Sequence, residues 1–347
     1  MRASVHPADL EGFVARVLAA AGFAQGEAEA CAHALVRADA AGVPSHGVAR
    51  VPEYCAALRR GDLVAGAEIK ILSQGPAYVA ADAGRALGQV AVPALLEALY
   101  AKVAEAGVAS GTLRNCGHVG RLADWVEAAA LRGHAALMLV QDNGALACVA
   151  PPGGVRAVTS TNPIGFACPV AGAQPFVLDM ATSATAIGRA RLLHQAGEAA
   201  PEGTLQDSAG RPTTDPGVLF AEPSGAIRPA GAHKGFGLAM VADLLAAGLS
   251  GGHMPPAPAG TPCLNTVCIT LWNPAYFAGL SHMAEEAAQY LDHIRACPPI
   301  DHTKPVRVPG DRAAAAQARA QRDGVAVAPE TWARLERLAA RLGVAVP

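Results

Sequence analysis

From about residue 76 the apolar period of this chain switches, and that switch constrains the fold more than any single motif. AYVAAD reads as a strand, PALLEALYAKVAEAG as a helix using Pro93 in its opening turn, and VASGTLR as a strand. RLADWVEAAALRG returns to helical spacing before the apolar run AALMLV. Short strands alternating with helices predict a sheet with helices packed on it. Upstream, Leu10, Phe13, Val14, Val17 and Leu18 recur at helical spacing, with Gly22 as a stop. A second helix covers Glu27 to Ala41, and Ser45 opens a helical segment carrying His46 and Arg50. Further on, FVLDMA and LNTVCITLW read as strands, residues 197–231 as polar surface loop, and HKGFGLAMVADLLAAGLSGG as a long helix. Three helical segments close the chain: SHMAEEAAQYLDHIRA, RAAAAQARAQRDG and PETWARLERLAARLG. The expected organisation is a helical part over 1–75, an α/β domain over 76–260, and a part over 261–347 packing partly with the first.

Composition narrows the functional classes. Apolar residues make up 52% of the 347 and charged residues 16%, which excludes a disordered solvating chain. A formal charge of −2 leaves no footprint for nucleic acid and no electrostatic membrane anchor. The apolar stretch Gly237–Leu249 is too short to span a bilayer and contains Asp243. Asp9 and Glu11 interrupt what would be the core of a secretory leader, and the eight cysteines never form a CxxC pair. Buried reduced thiols in a cytoplasmic protein are expected.

No GxGxxG follows a predicted strand, and no Walker A, HExxH or GxSxG motif occurs. Three clusters nevertheless carry chemistry. In Pro44-Ser45-His46-Gly47-Val48-Ala49-Arg50, a helical turn puts His46 and Arg50 four apart on one face. An imidazole exchanges protons near neutrality, and a guanidinium grips a carboxylate through two parallel hydrogen bonds. On spacing alone, a capping serine, a satisfied histidine and a solvated arginine are the simpler explanation of the segment. Arg114-Asn115-Cys116-Gly117-His118-Val119-Gly120-Arg121 joins a strand to a helix, where backbone amides suit an anion and His118 and Arg121 could add charge. The alternative is a turn whose glycines serve backbone angles alone. Lys234, after His233 at a helix start, opposes the helix dipole unless an anion is bound there. Thr159–Pro163 reads as a turn, and Asp179 stands at a strand end or caps a helix.

Taken together, these segments resemble the malate/L-lactate dehydrogenase family, which lacks a Rossmann fold and includes hydroxycarboxylate, ureidoglycolate and sulfolactate dehydrogenases and piperideine-carboxylate reductases. The matching marks are SHGVAR (45–50), NCGHVGRLADW (115–125), TSTNPIGFACP (159–169), FVLDMATS (176–183), GRPTTDP (210–216), HKGFGLAM (233–240) and VPGDR (308–312), in family order along nearly the whole chain. NCGH is most similar to the hydroxycarboxylate dehydrogenase branch. The resemblance implies an α/β fold in which a non-Rossmann NAD(P)-binding sheet domain is inserted between N- and C-terminal helical parts. It implies a homodimer acting on a small 2-hydroxy/2-oxo acid with NAD or NADP. His46 would then be the acid/base with Ser45 as its relay, and Arg50 and Thr161 would bind substrate. His118, Val119, Gly120, Arg121, Leu122, Asp179, Met180, Ala181, His233, Lys234 and the segment from Val306 through Pro309, Gly310, Asp311 and Arg312 would line the cofactor. His118 is itself the proton-transfer residue in some members, so the choice between the two histidines stays open. Pro44 replaces a residue often charged or polar in the family, and Gly117 precedes His118 where asparagine is usual.

The expected chemistry is hydride transfer to C2 of a 2-oxo acid, with a histidinium at His46 giving the proton and no metal. One alternative is reduction of a cyclic imine. More distant ones are a metal-dependent lyase or hydrolase built on His46, His118 and Asp179, and a catalytically silent binding protein.

Overall fold

In the computed structural model, which describes residues 3–347, the opening periodicity becomes a set of helices that bury one face each. After β1 (Ala3–Val5), α1 (Pro7–Ala20) starts on a proline, whose missing amide has no intrahelical partner to lose there. Its Leu10, Phe13, Val14, Val17 and Leu18 are fully buried. They pack with α2 (Gln25–Ala40) and α3 (Val51–Arg60), and α3 stops at Gly61 in a left-handed conformation.

β2 (Lys70–Gly75) and β3 (Tyr78–Asp82) then form a hairpin, and α4 (Gly88–Ala106) crosses over to β4 (Val108–Cys116), parallel to β3. α4 begins before the expected proline, so Pro93 lies inside it. α5 (Leu122–Leu131), β5 (Ala135–Gln141), β6 (Ile164–Cys168), β7 (Phe176–Met180) and α6 (Ile187–Ala196) follow. The stretch expected as loop over 197–231 carries a small sheet, β8 (Leu205–Gln206), β9 (Pro212–Thr213) and β10 (Ala226–Ile227). Two-residue strands hold no period for sequence reading to detect. α7 (His233–Ala242) runs through a π turn, Asp243–Ala247, into α8 (Gly248–Ser250). β11 (Asn265–Trp272), α9 (Leu280–Arg295), α10 (Asp311–Asp323), β12 (Val325–Val327) and α11 (Pro329–Leu342) complete the chain.

The main sheet has the order β2-β3-β4-β11-β5-β6-β7. β11 is its central strand, antiparallel to both β4 and β5. Two of its strands, β2 and β11, therefore lie outside the 76–260 range expected for the sheet domain. A central strand pairs on both edges, so the late arrival of β11 satisfies backbone groups that β4 and β5 leave open. On one face α4 and α5 bury Leu95, Leu99 and Val126 against Leu113, Ile269 and Leu271. The opposite face packs Leu139, Ile164 and Cys268 against Ala242 and Ala246 of the α7–π segment. A second core joins the chain ends: Phe13, Leu35 and Val51 share it with Leu335 and Leu338, and β1 pairs with β12. Six of the eight free cysteines are buried; Cys263 and Cys297 are exposed, unlike the buried thiols expected. No helix among the described residues is long and apolar enough to cross a membrane.

Strand register gathers the functional segments at one sheet end. Cys116 faces Asn265, Gln141 faces Thr266, and Ile164 faces both Leu139 and Met180. The turns leaving β4, β5 and β7 and those entering β6 and β11 share that end.

Candidate active site

The SHGVAR segment is not the single helical turn expected. It forms two 3-10 turns, Pro44–His46 and Val48–Arg50, broken at Gly47. The break has a cause in α2: the Asp39 carboxylate fills the space where a side chain at 47 would go. It also accepts the Val48 N–H at 2.7 Å, and burial pushes its pKa up to about 7. Ser45 Oγ lies 3.1 Å from His46 Nδ1. Arg50 folds back, its Nε donating to the Ser45 carbonyl at 2.9 Å and its Nη1 to Glu53 at 2.6 Å.

His118, from the β4–α5 loop, stacks on His46 with ring centroids 5.5 Å apart and planes 27° apart. Its Nδ1 is 2.6 Å from the Tyr54 hydroxyl. Gln89 Nε2 donates to the His118 carbonyl at 3.3 Å, which fixes the amide, and to Tyr54 Oη at 3.4 Å. One hydrogen bond joins Tyr54 Oη and His118 Nδ1, and when Tyr54 is its donor a neutral His118 carries its proton on Nε2. Burial first, then Arg50 and Arg121, pulls His46 down to about 4. Burial, Arg50 and His46 hold His118 well below its ordinary range. Desolvation thus favours the neutral form of both rings near pH 7, against the resident histidinium expected from sequence. Tyr54, Gln89 and Asp39 escaped the sequence reading; the only available signal was Tyr54 standing four residues after Arg50 on a helix.

The sheet end adds polar groups. Val119 N–H donates to Asn265 Oδ1 at 2.9 Å, and Asn265 Nδ2 reaches the Gln141 carbonyl at 3.3 Å. The Thr161 carbonyl accepts both the amide and the hydroxyl of Thr182, at 3.0 and 2.9 Å, tying the turn before β6 to the end of β7. Asn162 donates to Thr159 Oγ1 and to the Ala239 carbonyl, and Thr159 donates to Asp243 at 2.9 Å.

The expected cofactor residues divide into two sets. Beside α5 the charges are already spent. Arg121 and Asp124, each 7% exposed, pair at 2.8 Å, and Asp179 Oδ2 accepts the Ala123 N–H at 2.9 Å in the first turn of α5. Asp179 does cap a helix, but α5 rather than the helix that follows it. Beside α7 the groups are free. No side chain caps the helix start, Ala232 takes a positive φ of 53°, and His233 and Lys234 are exposed. Gly235 packs so tightly on the Thr182 and Ala230 carbonyls that any side chain there would overlap them, fixing the start of α7 beside Met180 and Ala181. Gly310, after Pro309, lies against the backbone of Val177 in β7. Asp311 is committed to Arg295 at 2.8 Å, while Arg312 is exposed. Among the described residues, no three His, Cys, Asp or Glu side chains converge as a metal-binding group.

A family model described as malate/L-lactate dehydrogenase matches residues 5–336. The chain is 38% identical over 324 residues to an L-lactate dehydrogenase of Cupriavidus necator, covering 92% of each. It is 34% identical over 337 residues to a Delta(1)-pyrroline-2-carboxylate/Delta(1)-piperideine-2-carboxylate reductase of Pseudomonas putida, covering 95% of each. A solved structure described as a putative malate/lactate dehydrogenase from E. coli superposes with a TM-score of 0.93 at 29% identity, covering 99% of this chain and 96% of that one. Matched almost end to end in both sequence and fold, the chain belongs to the malate/L-lactate dehydrogenase family.

Proposed function

We propose that this chain is an oxidoreductase that transfers a hydride between NAD or NADP and C2 of a small 2-hydroxy/2-oxo acid. The observation that carries the reading is the stacked pair of imidazoles, one of which sets its Nδ1 2.6 Å from a buried tyrosine hydroxyl. The nucleotide fits groups that the fold leaves unsatisfied. The uncapped amides of α7 and the unpaired cation of Lys234 suit a pyrophosphate, with His233, Met180, Ala181 and the Pro309–Arg312 turn beside them. His118 to Leu122 and Asp179 line the same groove through their backbone, since Arg121 has no charge to spare. When bound, the nicotinamide supplies the hydride in reduction and accepts it in oxidation.

The protein's own groups do the rest. Arg50, whose pair with Glu53 is half exposed rather than buried like Arg121–Asp124, orients the substrate carboxylate through the Nη hydrogens that Glu53 leaves open, and Thr161 contacts the acid from the facing turn. In reduction, negative charge develops on the carbonyl oxygen. His118 gives that oxygen its Nε2 proton as Tyr54 passes its own proton to Nδ1, so the ring never carries a charge of either sign. Burial holds the Tyr54 hydroxyl well above its ordinary pKa, and the field of Arg50 and the Gln89 amide offset part of that cost when its proton leaves. His46, with Ser45 on its Nδ1, stands as the second donor on the same oxygen.

Two further assignments belong to this reading. The chain works as a homodimer in the cytoplasm. α7 and α8 turn Leu238, Val241, Leu244, Leu245 and Leu249 outward, and a helix apolar on both sides needs cover. On the same sheet face, Phe166, Trp272 and Phe277 line an open cavity of about 560 Å³ that continues the apolar surface. A second copy of this chain is the partner assigned to it. A cyclic imine is the second substrate reading, favoured by the neutral imidazoles, because a protonated imine needs no acid from the protein.

The test is a spectrophotometric panel of 2-oxo acids and a cyclic imine, with NADH and NADPH in parallel, on the species sized by light scattering. Oxidation of either nucleotide by a 2-oxo acid, in a particle of twice the 35.1 kDa chain mass, is expected. No turnover with any oxo acid but turnover with the imine moves the assignment to the second reading. A monomer active at full rate removes the dimer.

A further inference from the structure

Asp142, in the turn after β5, stands out as a charge without a partner. It is 7% exposed, and neither carboxylate oxygen has a hydrogen-bond partner. Native structures keep few such groups, because an uncompensated buried charge is costly. The turn gives it no freedom to escape. Gln141 Nε2 donates to the His253 carbonyl at 3.0 Å and Gln141 Oε1 accepts the Gly144 N–H at 2.9 Å. Asn143, at φ 59°, accepts the His253 N–H at 2.7 Å. The neighbouring Asp243 also leaves Oδ1 unpartnered, a second carboxylate whose charge acts on Asp142. The Ser160 hydroxyl and Leu146 amide face Asp142 without reaching hydrogen-bond geometry, and burial raises its pKa to about 6. It stays ionised at neutral pH.

Its position ties it to the reacting groups. The Gln141 carbonyl takes the Asn265 amide, whose oxygen holds the Val119 N–H next to His118. The exposed Cys263 thiol lies within electrostatic reach of both Asp142 and the Arg50–Glu53 pair. Cys263 thus stands between the Arg50 cation and the Asp142 carboxylate and feels the charge of each.

We infer that Asp142 makes the site select substrates with one anionic group only, the carboxylate that Arg50 binds, and an uncharged or cationic remainder. This rests on the reading of Arg50 and the histidines given above. Like charges about 6 Å apart at an effective dielectric of about 20 repel strongly enough to cost roughly a hundredfold in binding. An acid carrying a second carboxylate or a sulfonate is therefore rejected by repulsion rather than by lost contact. A cyclic imine, cationic when protonated, gains from the same field.

The experiment compares kcat/KM for 2-oxoglutarate and for 2-oxohexanoate, acids differing chiefly in the terminal charge, in the full-length enzyme and in Asp142→Asn and Asp142→Ser. The unsubstituted enzyme is expected to favour 2-oxohexanoate by about a hundredfold, and both variants to lose about tenfold or more of that preference. A ratio within twofold of the parent in both variants would overturn the inference while leaving the dehydrogenase reading intact. So would a tenfold weaker nucleotide Kd by fluorescence quenching with the ratio unchanged, since the carboxylate would then serve the cofactor. No turnover of any oxo acid or imine by the unsubstituted enzyme overturns the dehydrogenase reading and this inference with it.

Discussion

α5 and α7 are helices of ten residues each, both open beside the end of β7, and both starts carry a basic residue that suggests an anion site. The structure treats them oppositely. At α5, Asp179 takes an amide of the first turn, Asp124 takes Arg121, and the histidine just upstream is half-buried with its pKa held well below the ordinary range. At α7 the amides are uncapped and Lys234 stands in solvent without an ion pair among the described residues. A helix start attracts an anion only with the amides and charges it has not already used. In the function proposed above, the α5 side serves orientation and proton transfer and the α7 side holds phosphate.

The sharpest way to break this contrast is to remove its two cations in turn. Arg121→Ala strands Asp124 in a buried position with only Arg37, at 3.3 Å, to compensate. It should cost about 3 kcal/mol in urea unfolding while changing nucleotide Kd less than threefold. A stable variant with a tenfold weaker Kd would make α5 a phosphate site after all.

Acid tests the neutral side next. His46 has a folded pKa near 4 against 6.5 unfolded, so its contribution is fully present above pH 6.5 and is lost as pH falls towards 4. Asp39, raised to about 7, runs the other way and gains as pH falls. The difference between the parent and His46→Gln isolates the histidine. Between pH 7.5 and 4 the parent should lose ~2 kcal/mol more than the variant, allowing for partial exposure of the ring. Parallel curves would show that His46 is not held neutral by the fold.

Lys234→Ala carries the smallest effect and completes the contrast. It should leave the urea midpoint unchanged and weaken nucleotide binding about tenfold at low salt, with the loss shrinking as salt is added. An unchanged Kd would empty the α7 side of its role.

Much of this was legible before any coordinates. The five apolar positions of α1 all face the core, and the strand–helix alternation after residue 76 marks the sheet and its covering helices. Ser45, His46, Arg50, His118 and Thr161 stood out by residue type and company. The failures share a cause. His46 and Arg50 were expected on one helical turn, but Asp39, from the preceding helix, breaks the turn at Gly47. The α/β domain was expected over 76–260, but β11, legible as a strand in LNTVCITLW, enters the centre of the sheet from beyond that range. Tyr54 and Asp142 carry no motif, and their weight comes from a partner in one case and from the lack of one in the other.

Amino-acid order alone set the family, the local helices and strands, and the identities of the groups able to bind a carboxylate or move a proton. Folding decided which of those groups remain available. Arg121 and Lys234 are both cations near a helix start, yet one is neutralised by a buried carboxylate and the other is not. His118 owes its hydrogen-bond partner to Tyr54, 64 residues away, and its lowered pKa first to burial. Pairing and desolvation depend on through-space neighbours, and only the packed chain supplies those.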